Sequence, residues 1–500
     1  MKLVNRTYIF AFGFSILMLG SSCSDFLEEK NESNYTQDNY FQTAAQAETV
    51  INELYAELRF VLDNVGTYGE GPFMMLEFPT GLLNTEVGQA EFNRNLRTLN
   101  ANAENNYFNV WWEQSFEAIA NANLAISNIP GIDMNDANKK KLIAQAKFMR
   151  AFHYFNLVRI FGDVPLILEP VDATSELLYP ERTPKAEVYN AIVSDLIDAE
   201  AAGLSFKDTT GKVSTGAIKS LLSSVYLTMA GYPLQAGDEY YKMSADKAKE
   251  VIENSSYNLF NDYDELHDPE TQNSGEFIFQ NNYLAGANLT NYLTQWLLPR
   301  ALNISKFSDE FGVMYPTEAF ISSHEPGDKR IEEKEFYFTE YPSIDDQDQI
   351  VNFNAHYIYK YFDENAVLET AQSDLNWTFF RYAEVLLTYA EAGYEAYGPT
   401  TDVLEAINKV RRRAQLPEFD SNITKEDIWR ERFHELAFEN KYWFDMVRRR
   451  KVLNVESGNW DDFIGHQFTY GPSLTEKYLL FGIPQREIDN NKKLTQNPGW

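Results

Sequence analysis

Aromatic side chains interleaved with carboxamides and carboxylates mark two stretches, TYGEGPFMMLEFPTGLLNTE (67–86) and FQNNYLAGANLTNYLTQW (279–296). A pyranose ring offers a flat C–H face that stacks on an aromatic ring, and its hydroxyls pair with planar amides and carboxylates, so this mixture suits carbohydrate recognition. Trp296, Tyr283, Tyr292 and Tyr68 are the expected platforms, with Asn84, Glu86, Asn282 and Asn288 as hydroxyl partners. The alternative for each is a place in the core or an idle place on the surface. Catalysis has less behind it. His153, His267, His324, His356, His434 and His466 form no pair at metal-ligand spacing, and no HExxH, nucleophile elbow or catalytic thiol is present. No cofactor and no metal is expected. GTYGEG (66–71) follows no strand and carries little weight as a phosphate loop, and Asp345, Asp346 and Asp348 read as a solvated acidic loop rather than a calcium site. The 74 acidic residues leave a glycosidase-like carboxylate pair open by counting alone, with solvated surface acids the favoured reading.

The one cysteine, Cys23, has no intrachain partner, so neither a disulfide nor a metal site explains it. Upstream lie Lys2 and Arg6, an apolar run from Tyr8 to Leu19, and then Gly20, Ser21 and Ser22. Those are the three regions of a signal peptide over residues 1–22, and the run falls short of the ~20 residues that span a bilayer. Small residues just before a cysteine resemble the bacterial lipobox, in which cleavage precedes the cysteine and its thiol carries lipid. Leu19 stands one position early for that pattern, and the competing reading is an ordinary cleavage site with an incidental cysteine. The Asn-rich segment that follows makes residues 23–40 a flexible, lipidated tether.

Net charge is −31, and cleavage before Cys23 would remove two cations and no acid. Nucleic acid and anionic lipid surfaces are repelled by such a body, so any membrane attachment must run through the anchor. The clusters Arg411–Arg413 and Arg448–Lys451 lie on helical patterns among acids and read as ion-paired structural arginines. Length alone suggests about three domains, but no Pro/Gly/Ser-rich linker interrupts residues 41–500, which favours one body. Aromatic content of 15% exceeds what an ordinary core requires and leaves aromatics for the surface.

Positioning elements follow from periodicity. Helices are expected over residues 44–60 and 107–127, within the apolar segment 146–168 that Gly162 and Pro165 end, and after the Thr183 N-cap with Pro184 at the first position. Residues 214–230 and 241–253 carry small residues at one face, including Gly216, Ala217, Ser223, Ser224, Ala245 and Ala248, and residues 383–394 and 403–414 form a further pair about the Gly398-Pro399 turn. Antiparallel hairpins of this size suggest degenerate tetratricopeptide-like repeats over 41–60, 107–256 and 378–450. Between 257 and 377 the helical period lapses, so this loop-rich excursion is expected to face a ligand. Arg150, Arg159, Arg381, Glu435 and Glu439 read as buried ion pairs that fix helix register.

Five of these segments, AKFMRAFHYFNLVRIFGDVPL, FFRYAEVLLTYAEA, INKVRRRAQLP, ERFHELAFENKYWFDMVRRR and IPQREIDNNKKLTQNPGW, resemble in order and spacing the hallmarks of the SusD/RagB family. The resemblance implies a mostly α fold, a SusD-like helical body with tetratricopeptide-like hairpins and an irregular ligand-facing region. It also implies an outer-membrane lipoprotein anchored at Cys23, without enzymatic activity, that binds oligosaccharides and delivers them to a SusC-like TonB-dependent transporter. Some relatives take peptides instead, and a lipid-anchored glycan hydrolase is the more distant alternative. Ligand contacts in that family lie outside the shared motifs, so the motifs assign no binding residue.

Overall fold

The computed structural model describes residues 41–500 apart from residues 67, 68, 89, 173 and 288. Cys23 and the tether therefore lie outside the described residues. Helices dominate, as the periodicity requires: α1 Ala44–Ala56, α2 Asn106–Asn128, α3 Asp136–Phe161, α4 Lys185–Glu200, α5 Thr215–Ala230 and α6 Asp238–Ile252. After a long insertion come α7 Tyr382–Tyr397, α8 Thr401–Arg413, α9 Lys425–Glu435 and α10 Tyr442–Arg449. Local chemistry sets their ends. Asn135 accepts from the amides of Ala137 and Asn138 and starts α3 ten residues before the apolar segment read from the sequence, a cap contributing about 1 kcal/mol. The start of α4 departs from expectation by one position: Pro184 is the cap residue, and the Lys185 amide donates to Asp163 Oδ1 at 2.9 Å.

Each helix packs on the next, α2 on α3 through α5 on α6. Small residues set the closest crossing. Ser223 Oγ donates to the Ser244 carbonyl at 2.9 Å and Ser244 Oγ to the Ser223 carbonyl at 2.8 Å, so two fully buried hydroxyls satisfy each other's helix. Helix α7 then lies against α6 as intimately as chain neighbours do, although residues 253–381 intervene. The stack thus ignores the insertion, and the tetratricopeptide-like arrangement holds.

The insertion has more regular structure than its sequence suggests. Strand β1 (Leu83–Asn84), from the segment before α2, pairs antiparallel with β3 (Tyr315–Pro316). Within the insertion β2 (Phe277–Asn281) pairs with β6 (Trp377–Arg381), and β4 (Tyr337–Pro342) with β5 (Ile350–Ile358). A main core joins helices and insertion from Ala47 to Leu494, and a smaller aromatic one gathers Phe338, Tyr341, Phe353, Tyr357 and Phe362. Much of the aromatic surplus is used here.

Buried charge fixes register. Arg150 grips Asp195 bidentately at 2.7 and 2.8 Å. Arg381, Arg413, Glu276, Glu435 and Glu439 form one cluster, with Arg381 reaching Glu276 and Glu435 at 2.7 Å each and Glu439 at 2.7 Å. Arg159 differs from expectation. It makes no ion pair among the described residues, and its guanidinium sits 3.7 and 3.8 Å from the ring centroids of Phe155 and Phe444. The C-terminus closes on the body: Trp500 Nε1 donates to the carbonyls of Lys477 and Leu480.

Candidate functional site

The two aromatic and amide-rich stretches do meet, but through their buried faces. Trp296 is 1% exposed, with Gly69 and Gly71 laid across its indole. A Cβ at residue 71 would lie 2.5 Å from the ring, so only glycine lets the backbone pass there. Trp296 is a core residue rather than a platform, because a stacking surface needs an open face. Tyr283 is corrected likewise: it is 7% exposed, and its hydroxyl donates to the Arg59 carbonyl at 3.4 Å. Tyr292 is half-buried and stacks on Trp296, ring centroids 5.9 Å apart at 21°. Asn282 is exposed yet engaged. Its nitrogen donates to the Thr210 carbonyl at 2.8 Å, and its oxygen accepts from Asn273 and Asn376 at 3.0 and 2.9 Å, which makes it a bracket between loops. Tyr68 and Asn288 lie outside the described residues.

Asn84 and Glu86 come together at the β1/β3 ribbon with residues the sequence did not single out. Asn84 Oδ1 accepts from Arg97 Nη2 at 2.9 Å and from the Tyr470 hydroxyl at 3.4 Å. Arg97 also donates to the Leu83 carbonyl at 3.2 Å, and its guanidinium lies 3.7 Å from the centroid of the Tyr470 ring. Tyr470 is 40% exposed. On the other side Glu86 Oε1 accepts from the Tyr357 hydroxyl at 2.6 Å and the Arg300 amide at 2.9 Å. Tyr315 stacks on Tyr357, centroids 4.9 Å apart at 24°. Burial, and then the Glu86 carboxylate, push both phenols up, so both tyrosines are neutral throughout the physiological range.

Close approach puts the loop carrying Tyr470 in place. Gly81, at φ 76°, lies under Phe468, where a Cβ would come within 2.1 Å of the ring. Arg97 comes from the last turn of the short helix Glu91–Arg97. The result is an exposed ring braced by a guanidinium and flanked by a carboxamide, with a carboxylate of set orientation on the other side of the ribbon. Such a surface can stack a flat apolar face and pair hydroxyls at its rim. Among the described residues no group of three or more His, Cys, Asp and Glu is placed to hold a metal. His324 and His434 stack 4.0 Å apart in the core, and burial pushes His324 down to about 4 and His434 well below its ordinary value, so both are neutral packing groups.

Residues 238–500 match the family described as "SusD family", and residues 25–227 match one described as "Starch-binding associating with outer membrane". The chain belongs to the SusD family. A SusD superfamily protein from Parabacteroides distasonis superposes with a TM-score of 0.88 at 38% identity, covering 93% of this chain and 100% of that one. A SusD-like protein of Formosa agariphila is 27% identical across 97% of this chain and 99% of its own length. The starch-binding protein SusD of Bacteroides thetaiotaomicron is 24% identical over 73% of this chain and 74% of its own. In this SusD-family chain the 25–227 match takes in α1–α4, strand β1 and most of α5, and the 238–500 match runs from α6 to residue 500 with the whole insertion. The ribbon cluster thus draws Asn84, Glu86 and Arg97 from one matched region and Tyr315, Tyr357 and Tyr470 from the other. No helix among the described residues is long and apolar enough to cross a membrane.

Proposed function

We propose that this chain is a cell-surface glycan-binding lipoprotein, anchored through Cys23, that captures oligosaccharides and delivers them to a TonB-dependent outer-membrane transporter. The observation that carries the binding reading is the exposed Tyr470 ring, backed by Arg97 and bordered by Asn84. Support comes from the description of the N-terminal match, which names starch binding and association with the outer membrane, and from the starch-binding relative. Glu86 is already committed to Tyr357 and Arg300, an arrangement suited to holding a ligand rather than to turning one over. Tyr68, Asn288 and the half-buried Tyr292 are proposed as further contacts. The anchor reading rests on the lone cysteine after a short apolar run, and the transporter on membership of the family.

Calorimetric titration of the purified protein against a panel of oligosaccharides, with peptide mixtures as the counter-panel, tests the reading. Tyr470→Ala is expected to weaken glycan affinity roughly ten- to a hundredfold, by analogy with the loss of a stacked base, while leaving the melting midpoint near wild type. Binding of peptides alone would replace the cargo, and unchanged glycan affinity in the variant would move the site elsewhere.

A further inference from the structure

One cavity gathers cations that carboxylates do not hold. It has a volume of about 250 Å³ and lies where α3, α4, α5 and α10 meet the C-terminal segment. Its walls are mostly apolar, Phe444, Leu479 and Leu480 among them, yet Arg159, Arg450 and Lys477 also line it. None of these three makes an ion pair among the described residues. Arg159 donates to the Phe155 carbonyl at 3.0 Å, Lys477 to the Ala101 carbonyl at 3.3 Å, and the Arg450 guanidinium sits 4.7 Å from the Tyr232 centroid. The acid at the cavity, Glu476, is exposed, and Lys185 stands 3.8 Å from Asp163.

Two polar groups here have no partner. Arg450 Nη1 is buried without a hydrogen-bond acceptor, and the hydroxyl of Tyr189, a residue 1% exposed, is buried without any partner. Buried donors left unsatisfied are rare in a native fold and call for a ligand, an ion or water. Burial also pushes Arg159 down to about 10 and lowers Arg450 and Lys477, more than the carboxylates of Glu384 and Asp445 near Arg159 and of Glu476 near Arg450 offset. In a chain of net charge −31, an apolar cavity with three unpaired cations is selective for what it can hold.

We propose that this cavity binds a small organic monoanion, a carboxylate on an apolar body, with Arg450 and the Tyr189 hydroxyl donating to the carboxylate and the body seated against the apolar wall. The volume, below the roughly 300–1,000 Å³ of drug-sized pockets, limits the ligand to one or two rings or a short chain. The cavity shares no residue with the cluster around Tyr470, so it is a second site independent of glycan binding.

Titration of the full-length protein in detergent with 2-naphthoate, and with the neutral 2-naphthamide, tests this. Naphthoate is expected to bind saturably and the amide about tenfold more weakly or worse, since only the carboxylate gains charge-assisted hydrogen bonds. Arg450→Gln and Tyr189→Phe should each weaken naphthoate binding about tenfold. The unliganded Tyr189→Phe protein should melt as wild type does, because its hydroxyl has no partner to lose, so this variant decides the matter even where Arg450→Gln folds poorly. Tyr470→Ala should leave naphthoate binding unchanged. Absence of saturable binding, equal binding of the amide, or undiminished affinity in Tyr189→Phe overturns the proposal.

Discussion

Glu77 is 1% exposed, set in the apolar run PFMMLEFPT, and accepts the Asn440 amide at 2.6 Å. Burial pushes its carboxyl up to about 8 from an ordinary value of 4.5; the Asn440 hydrogen bond opposes that rise, Glu439 adds to it and Lys360 opposes it. The folded state therefore holds a proton that the unfolded chain releases at lower pH. Above pH 4.5 the unfolded state binds fewer protons at this site, so stability from it is full below 4.5 and falls as pH rises toward 8. Glu77→Gln keeps the shape and an acceptor but cannot ionise. The stability of the variant relative to wild type should accordingly climb by about 3 kcal/mol between about pH 5 and pH 7.5, at ~1.4 kcal/mol per pH unit. Urea unfolding of both proteins across that range reads the difference directly. A constant offset from the altered amide would not change the slope. A difference that stays flat with pH, or one that falls, refutes the assignment of a neutral buried carboxyl at residue 77.

Three further outcomes are expected. Trp296→Ala should lower stability by about 3–5 kcal/mol, as for a large ring removed from a packed core, and Gly71→Ala should also destabilise; an unchanged melting midpoint for Trp296→Ala would put that indole back on the surface. Arg381→Met leaves Glu276, Glu435 and Glu439 short of a buried cation and should destabilise by about 3–5 kcal/mol. Glu435 and Glu439 are held down to about 2 against burial, Glu435 first by Arg413 and Glu439 first by Arg381. Their contribution is present above 4.5 and lost as pH falls toward 2, so a urea midpoint flat across that acid range would contradict the network. Cys23→Ser should abolish palmitate labelling and release the protein from the membrane fraction, whereas retention of an unlabelled wild type on the membrane would remove the anchor.

Legibility in the sequence followed the distance between interacting residues. Helices and their crossings are local matters of period and side-chain size, so Ser223, Ala245 and their neighbours announced a close helix pair. Arginines in apolar segments announced buried carboxylate partners for Arg150 and Arg381 but not for Arg159, and Arg381's partner Glu276 lies 105 positions away, with nothing in either segment to name the other. The site suffered most from this. Tyr470 and Asn84 are separated by 386 positions, and the contact depends on Gly81 admitting Phe468, a steric fact invisible before folding. Trp296 failed in the opposite sense. Flanking Asn, Gly and Tyr looked like surface chemistry, whereas Gly69 and Gly71 serve to let a second loop lie flat on the indole and bury it.

The charged cluster explains how a helical stack can carry a long, variable-looking insertion without losing its own geometry. Residues 253–381 leave α6 and return at α7, which packs on α6 regardless. Strands β2 and β6 pair at the base of the insertion, with Phe277 opposite Arg381, and the Tyr382 amide donates to the Glu276 carbonyl at 2.8 Å. Glu276 and Arg381 thus stand side by side where the insertion joins the helices, and their side chains meet Arg413 of α8 and Glu435 of α9. Replacing such a cluster with apolar groups need not weaken a fold, since desolvation offsets much of the attraction. Its use here is positional: four charges that are satisfied in only one register fix where the insertion springs from the stack. The loops that build the ribbon around Tyr315 and Tyr357 are then projected from a rigid root, so their course is set by that junction and not by the packing of the helices beneath.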